Sequence, residues 1–463
     1  MPVLVDDDLL FEDGPRSPRP VVAVNRWLRE LPVSGAPAPA TWEAYARAIR
    51  EWMEFLVPHG VGVFDSRERL KLALSRYAEH RATGPERQRF SAVTWGRHMS
   101  ILSLFYRWAM EEGHAQAEPF TYRTARALFA GTGREVRVNL AVRRTPKPHV
   151  TIRYLEPDFT ELFLASLRGL ARDGSADAGY HGWELTRNAA VAGLALATGL
   201  RLQEFTYLLP WEVPVLPSRP TARPIPFPVP AGVTKGRKFR TTWTSYDALA
   251  AVHGYLALDR AATADGSRWR PPPRWGEPLL VTKPDERGGR VNGVRRKWET
   301  LTPADRRRLV APGGGSCLLA VKRGGGPFTA WATVFERASD RIRATVEPRF
   351  PHVTPHRLRH SFAMRTLEYL VTGHYRQAAG LVKHTDADAA LVLYLTKADP
   401  LLVLRDLLGH STVLTTEKYL RRLDTTRIYR DAYENAGTAS GLLDDQAAEH
   451  EADAEFRGDD GAA

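Results

Sequence analysis

A single cysteine, Cys317, stands in 463 residues. It leaves no partner for an internal disulfide and no thiolate cluster of the zinc-finger type, so neither bridges nor structural zinc should hold this fold. Cys317 itself reads as a small core residue. No apolar run approaches the roughly 20 residues that cross a bilayer. Nor does the N-terminus offer a charged segment followed by an apolar core. The expectation is a protein that stays in the cytoplasm and has no membrane partner.

What is present is ordinary for globular protein: 43% hydrophobic and 25% charged residues, which excludes wholesale disorder. The length suits two or three domains, because single cores usually stop growing well before it. The formal charge is +12 but unevenly placed. Residues 438–463 hold eight acids against Arg457, so the rest of the chain carries +19. Such a body suits a polyanion, since each phosphate it neutralises releases condensed counterions. A solubilising surface would explain the charge equally well.

Residues 1–37 show little periodicity and read as a flexible arm, with order beginning at Thr41, a plausible N-cap. Trp42, Tyr45, Ile49, Trp52, Met53 and Leu56 then recur at helical spacing. From Ser91, Val93, Ile101, Leu102, Leu104, Phe105 and Trp108 share a side, with Arg97, His98 and Arg107 pointing elsewhere. Residues 38–125 are thus expected to form a small helical domain with its aromatics in the core. The stretch 126–153, with Arg134, Arg137, Arg143, Arg144 and Lys147, reads as a basic linker. A larger domain is expected over 154–437, opening on a helix with Pro157 in its first turn. An apolar helix from Trp183 ends at Gly199, and Val233–Trp243 carries a hairpin signature with its turn at Gly236. Segments 210–230 and 263–326 are rich in proline or glycine and read as insertions; the second has no stable period beyond Pro278–Thr282. The acidic tail 438–463 is expected to be disordered.

Four islands carry chemistry. In Ala197–Phe205, Arg201 follows a glycine break and Glu204 lies three residues on, where its carboxylate can orient the guanidinium; a surface ion pair is the bland alternative. In Thr354–Ala363, Thr354 can cap a helix begun by Pro355, which puts His356 and Arg359 on one face near a positive helix end. His356 and His360 have metal-ligand spacing, but no glutamate lies between them, which argues against a zinc-protease site. In Asp399–Ser411 a short helix starts at Pro400 and stops at Gly409, leaving His410 on a turn. The fourth island, Thr415–Leu420, places Tyr419 in a short helix.

Together the islands resemble the phage integrase family of tyrosine recombinases, the Cre- and Xer-like site-specific recombinases. Thr198-Gly-Leu-Arg201 with Glu204 resembles the first arginine box, His356-Arg-Leu-Arg359-His360 the His-x-x-Arg box, and Leu408-Gly409-His410 with Thr416-x-x-Tyr419 the last two. The likeness covers residues 155–435 closely and the 38–125 domain more loosely. It implies a mainly α fold with a small antiparallel sheet, in which a helical core-binding domain precedes a mixed α+β catalytic domain.

It also implies roles. Tyr419 would attack a scissile phosphate to form a 3′-phosphotyrosine, with no ATP, metal or other cofactor. Arg201 and Arg359 would clamp the non-bridging oxygens, which guanidinium does bidentately and lysine does not. His356 matches the proton-handling histidine at the nucleophile, His410 a donor to phosphate oxygen, and His360 an accessory position. Lys235, with Lys238 as rival, matches the general acid for the leaving oxygen. The implied partners are double-stranded DNA recombination sites and a homotetramer on synapsed DNA, with room for accessory DNA-bending proteins, in the nucleoid. Residues 425–437 match the family's terminal docking segment. A type IB topoisomerase and a catalytically inactive DNA-binding protein on the same fold are the competing readings.

Overall fold

The computed structural model describes residues 1–10, 19–36, 39–126, 135–142, 153–182, 184–384, 400–410, 412, 413, 416 and 419. The chain divides into two compact units, Met1–His149 and Val150–Ala463. Arg134, Arg143, Arg144, Lys147, Trp183, Asp399, the short helix expected around Tyr419, segment 425–437 and the acidic tail lie outside the described residues.

The first unit is built from α1 (Pro20–Glu30), α2 (Pro39–Leu56), α3 (Arg67–Thr83), α4 (Ala92–Glu111) and the hairpin β1 (Tyr122–Arg126) and β2 (Glu135–Asn139). Its core joins Val24, Trp27 and Leu28 of α1 to Trp52, Tyr77, Phe105 and Tyr106. The aromatics are therefore core residues, as expected, but the flexible arm is not: Pro20 starts a helix whose apolar positions recur at 21, 24, 27 and 28. Proline- and arginine-rich flanks hid that short stripe. Helix α2 begins at Pro39, which suits a first turn, so Thr41 lies inside it and is not a cap. Helix α3 gave no sequence signal, because only Leu70, Ala73 and Tyr77 are buried along it. On α4, Ser91 caps the start by accepting from the Thr94 N–H; Val93 and Leu104 are exposed. His98, expected to point outward, is buried against the Tyr77 hydroxyl at 3.1 Å. Part of the expected linker is a strand, with Arg137 opposite Thr124 and its guanidinium 4.4 Å over the Tyr122 ring.

The second unit centres on α6 (Leu185–Thr198), which is buried on nearly every side among α5 (Pro157–Leu167), α8 (Tyr246–Tyr255), α11 (Trp331–Thr345) and α12 (Pro355–His384). Between α6 and α8 come α7 (Leu202–Thr206), β3 (Ile225–Val229) and β4 (Arg240–Thr244). Then follow α9 (Ala261–Ala264), β5 (Leu279–Thr282), β6 (Gly288–Val291), β7 (Val294–Lys297), α10 (Pro303–Arg306) and β8 (Leu309–Val310). Helix α13 (Pro400–Leu408) closes the order among the described residues. Helices dominate and the sheets are small, the fold class expected, with one difference: β5 pairs with β8 in parallel.

The hairpin is shifted from its expected position. Strands β3 and β4 pair from Ile225↔Thr244 to Val229↔Arg240, and 230–239 is their connection, with Gly236 and Arg237 at positive φ. Pro226 and Pro228 are uncommon residues for a strand, but a two-stranded ladder tolerates them at alternate positions, where no N–H is needed. Segment 263–326, patternless in sequence, builds the sheet β7-β6-β5-β8 over its own core of Val281, Val291, Trp298, Leu309, Cys317 and Leu318. The other insertion holds it: Glu212 pairs bidentately with the buried Arg306 at 2.6 and 2.7 Å, and Trp211 stacks on Trp298.

Gly199 ends α6 at φ +64°, and a Cβ there would collide with the Phe362 ring. Gly199→Ala is expected to lower stability by about 1–3 kcal/mol through strain and collision together, read as a drop in denaturant midpoint; an unchanged midpoint would show that Phe362 moves aside freely.

Candidate active site

Four chain segments meet at the C-terminal end of α13. Gly409, at φ +63°, stops that helix, and the His410 N–H returns to the Arg405 carbonyl at 3.0 Å. A helix end exposes carbonyls without intrahelical donors and a partial negative charge. Three arginines from three different elements meet them in succession. Arg240 Nε donates to the Leu407 carbonyl at 3.1 Å, Arg359 Nη2 to Leu408, and Arg201 Nη2 to Gly409 at 3.4 Å. Arg201 and Arg359, 158 positions apart in the chain, thus converge on adjacent peptide groups.

Each guanidinium is placed by local sequence. After the Gly199 turn the backbone of Arg201 is extended and caps α7, and Glu204 three residues on accepts from its N–H at 2.8 Å and from Nη1 at 3.0 Å. The expected orienting carboxylate is therefore real. It is not a surface pair: Glu204 is fully buried and also binds Arg240 bidentately, at 2.8 and 2.7 Å. Burial pushes the Glu204 carboxyl up, but the hydrogen bonds and charge of Arg240, joined by Arg201, hold it below its ordinary value. Arg240 is the residue that sequence reading missed. Its only mark was an arginine opening a Thr-rich strand, and its role depends on a partner 36 positions away.

Thr354 caps α12 as expected, its hydroxyl accepting from the Arg357 N–H at 3.2 Å. The first turns of that helix carry His356, Arg359 and His360. Arg359 is 3% exposed and also donates to the Gly199 carbonyl at 2.6 Å. Burial, reinforced by the charges of Arg201 and Arg240, lowers its pKa to about 9. It remains a cation at neutral pH, in a place where an anion would be welcome.

Tyr419 lies in the cluster formed with Phe362, Leu367, Leu404 and Leu408. Its hydroxyl is 2.8 Å from His360 Nδ1. Burial lifts the phenol to about 12, with Arg359 and Arg201 pulling the other way. His356 is the next ring out, 4.2 Å from His360 between centroids. The resemblance put His356 at the nucleophile; the ring hydrogen-bonded to the phenol here is His360. The two rings share one face of α12, a helical turn apart, and His360 is the one level with Tyr419. His410 Nδ1 meets the Thr416 hydroxyl at 3.0 Å, which ties the third and fourth islands. Lys235 and Lys238 are both exposed on the β3–β4 connection, and no described contact joins either to this cluster.

The phage integrase N-terminal SAM-like domain family matches residues 24–113. The match lies within the first unit. The matched span includes the latter part of α1, so the helical domain begins earlier than residue 38. No curated protein matches the chain. Among solved structures, the XerH site-specific recombinase bound to its difH substrate is similar with TM-score 0.44 and 14% identity, over 86% of this chain and 80% of that one. The Tn1549 transposon integrase in complex with circular intermediate DNA gives 0.44 and 15%, over 86% and 94%. A lambda integrase dimer bound to a COC′ core site gives 0.42 and 14%, again over 86% and 94%. Among the described residues no helix is long and apolar enough to cross a membrane.

Proposed function

We propose that this chain is a site-specific DNA recombinase that cuts and rejoins strands through Tyr419. The supporting observation is the meeting of the Tyr419 hydroxyl with His360 beside Arg359 and Arg201. The phenolic oxygen bonds to the scissile phosphorus and the bond to the 5′ oxygen breaks, leaving a 3′-phosphotyrosine and a 5′-hydroxyl. Rejoining reverses both changes, so the phosphodiester energy is retained and ATP is not needed. With a phenol near 12, only about one molecule in 10⁴ to 10⁵ is ionised around neutral pH. The proton therefore has to be removed as attack proceeds, and His360 is placed to accept it, with His356 behind it. Arg201 and Arg359 neutralise charge that grows on the non-bridging oxygens, work that in other phosphoryl transfers falls to a metal. His410 adds a donor on the same side. The leaving oxygen takes its proton from the exposed β3–β4 connection, through Lys235 or Lys238. Tyr419 is 1% exposed, so its segment must open towards the phosphate when DNA binds.

On this reading the first unit grips the core site with its basic residues. Two duplexes, each carrying two protomers, make a homotetramer in which segment 425–437 docks on a neighbour. The SAM-like domain favours recombination over relaxation by a lone topoisomerase. The test is covalent trapping. Nicked duplexes built from DNA ends recovered on the protein in its native host should give a denaturation-resistant adduct on the Tyr419 peptide, equally in EDTA. No adduct with any recovered end would leave only a DNA-binding protein; loss of the adduct in EDTA would overturn the metal-free mechanism. Efficient relaxation of plasmid lacking a cognate site would favour the topoisomerase.

A further inference from the structure

The sheet module 263–326 carries fourteen basic and six acidic residues, a net +8 out of the chain's +12. Side chains on a strand alternate between faces. The inward face of this sheet holds Val281 and Val291 over Trp298 and Leu309. The outward face holds Thr282 on β5, Arg290 on β6, and Arg295 and Lys297 on β7, in the register Thr282↔Arg290↔Arg295. Arg290 and Arg295 are directly opposed across the strands, an arrangement that costs stability between like charges. One acid, Asp285, relieves Arg295 at 2.6 Å, and Lys297 is 3.7 Å from Glu299. All three basic residues are exposed.

Charged side chains on an edge strand commonly serve to prevent sheet-to-sheet pairing. That accounts for β7, which is the edge, but not for Arg290, which is on the inner strand β6. The module also adjoins the catalytic hairpin: Arg237 donates to the Thr300 carbonyl at 2.9 Å, and Gly232 lies so close to the Leu301 and Glu299 carbonyls that a side chain there would collide. Strand β7 thus runs straight into the segment that supports the connection bearing Lys235, Arg237 and Lys238, all exposed.

We propose that Arg290, Arg295 and Lys297 form a second phosphate-binding surface, which follows the backbone of the duplex next to the cleavage point. The inference rests on the reading of the chain as a DNA recombinase and extends it to a part of the chain outside the four islands. Exposed arginines on a rigid sheet bind backbone without reading sequence, so the contribution is electrostatic and salt-dependent.

The test uses the full chain and random-sequence duplex DNA, titrated across a salt series. The R290Q/R295Q/K297Q variant should lower the slope of log affinity against log salt by about 2.7, at about 0.9 per lost contact, and weaken binding on the order of 10²-fold at moderate salt. The charge-retaining R290K/R295K/K297R variant should keep the wild-type slope, and equal thermal midpoints for the two variants exclude misfolding as the cause. An unchanged slope in the glutamine variant overturns the proposal, as does a slope that falls only for an RNA hairpin. The Tyr419 adduct is scored separately with the same proteins: its absence from the wild type counts against the recombinase reading, whereas the slopes judge this surface.

Discussion

Tyr419→Phe is expected to form no covalent DNA adduct at all, while duplex affinity stays within about twofold, because the substitution removes the attacking oxygen and no phosphate contact. The buried ring keeps its place among Phe362, Leu404 and Leu408. The hydrogen bond to His360 is lost, which costs about 1 kcal/mol of stability. Gel shift, adduct trapping and a denaturant melt on one preparation separate these outcomes. Undiminished adduct formation would move the nucleophile to another tyrosine. A parallel loss of binding would mean that the residue shapes the DNA surface and does not merely attack it. The His360→Ala variant sharpens the result: proton acceptance at that ring predicts slower adduct formation with a changed pH profile, and the same experiment on His356→Ala should show the smaller effect.

Removing the carboxylate at 204 should produce the largest stability loss. Glu204 is fully buried between Arg201 and Arg240, and breaking such a pair from one side strands a buried cation. Glu204→Ala is expected to cost about 3–5 kcal/mol, whereas Glu204→Gln, which keeps the shape and part of the hydrogen bonding, should cost less. The chemistry should fall with it, since Arg240 and Arg201 are held at the α13 carbonyls by the same group. A variant with unaltered melting would show that water or another acid replaces the carboxylate. A variant with unaltered cleavage but lowered stability would restrict Glu204 to the fold.

These two residues also mark how far the sequence could be read. Glu204 was visible as an orienting carboxylate from its spacing to Arg201, whereas Tyr419 was singled out only by the resemblance of its box to that of a known family. The count of charges around Glu204 was not visible. A carboxylate three residues after an arginine looks like an exposed helix pair, and only the return of β4 against α13 reveals a second guanidinium. Similarly, the resemblance put His356 at the nucleophile and His360 in an accessory place, whereas the contact of His360 with the phenol appears only once α12 packs on the cluster that holds Tyr419. Helix α3 and the sheet of 263–326 were illegible for a different reason: they bury few residues per turn or strand, so the periodicity that signals amphipathic structure is absent.

By itself the sequence determined which atoms could do chemistry. Glycines after α6 and α13 had to break helices, Thr354 and Pro355 had to begin one, and arginine, histidine and tyrosine were present as the groups suited to a phosphate. Tertiary structure decided what those groups meet. The exposed carbonyls at the end of α13 draw Arg240, Arg359 and Arg201 to one place, because a helix C-terminus needs donors and positive charge, and the sequence positions of those three arginines are unrelated to the order in which space arranges them.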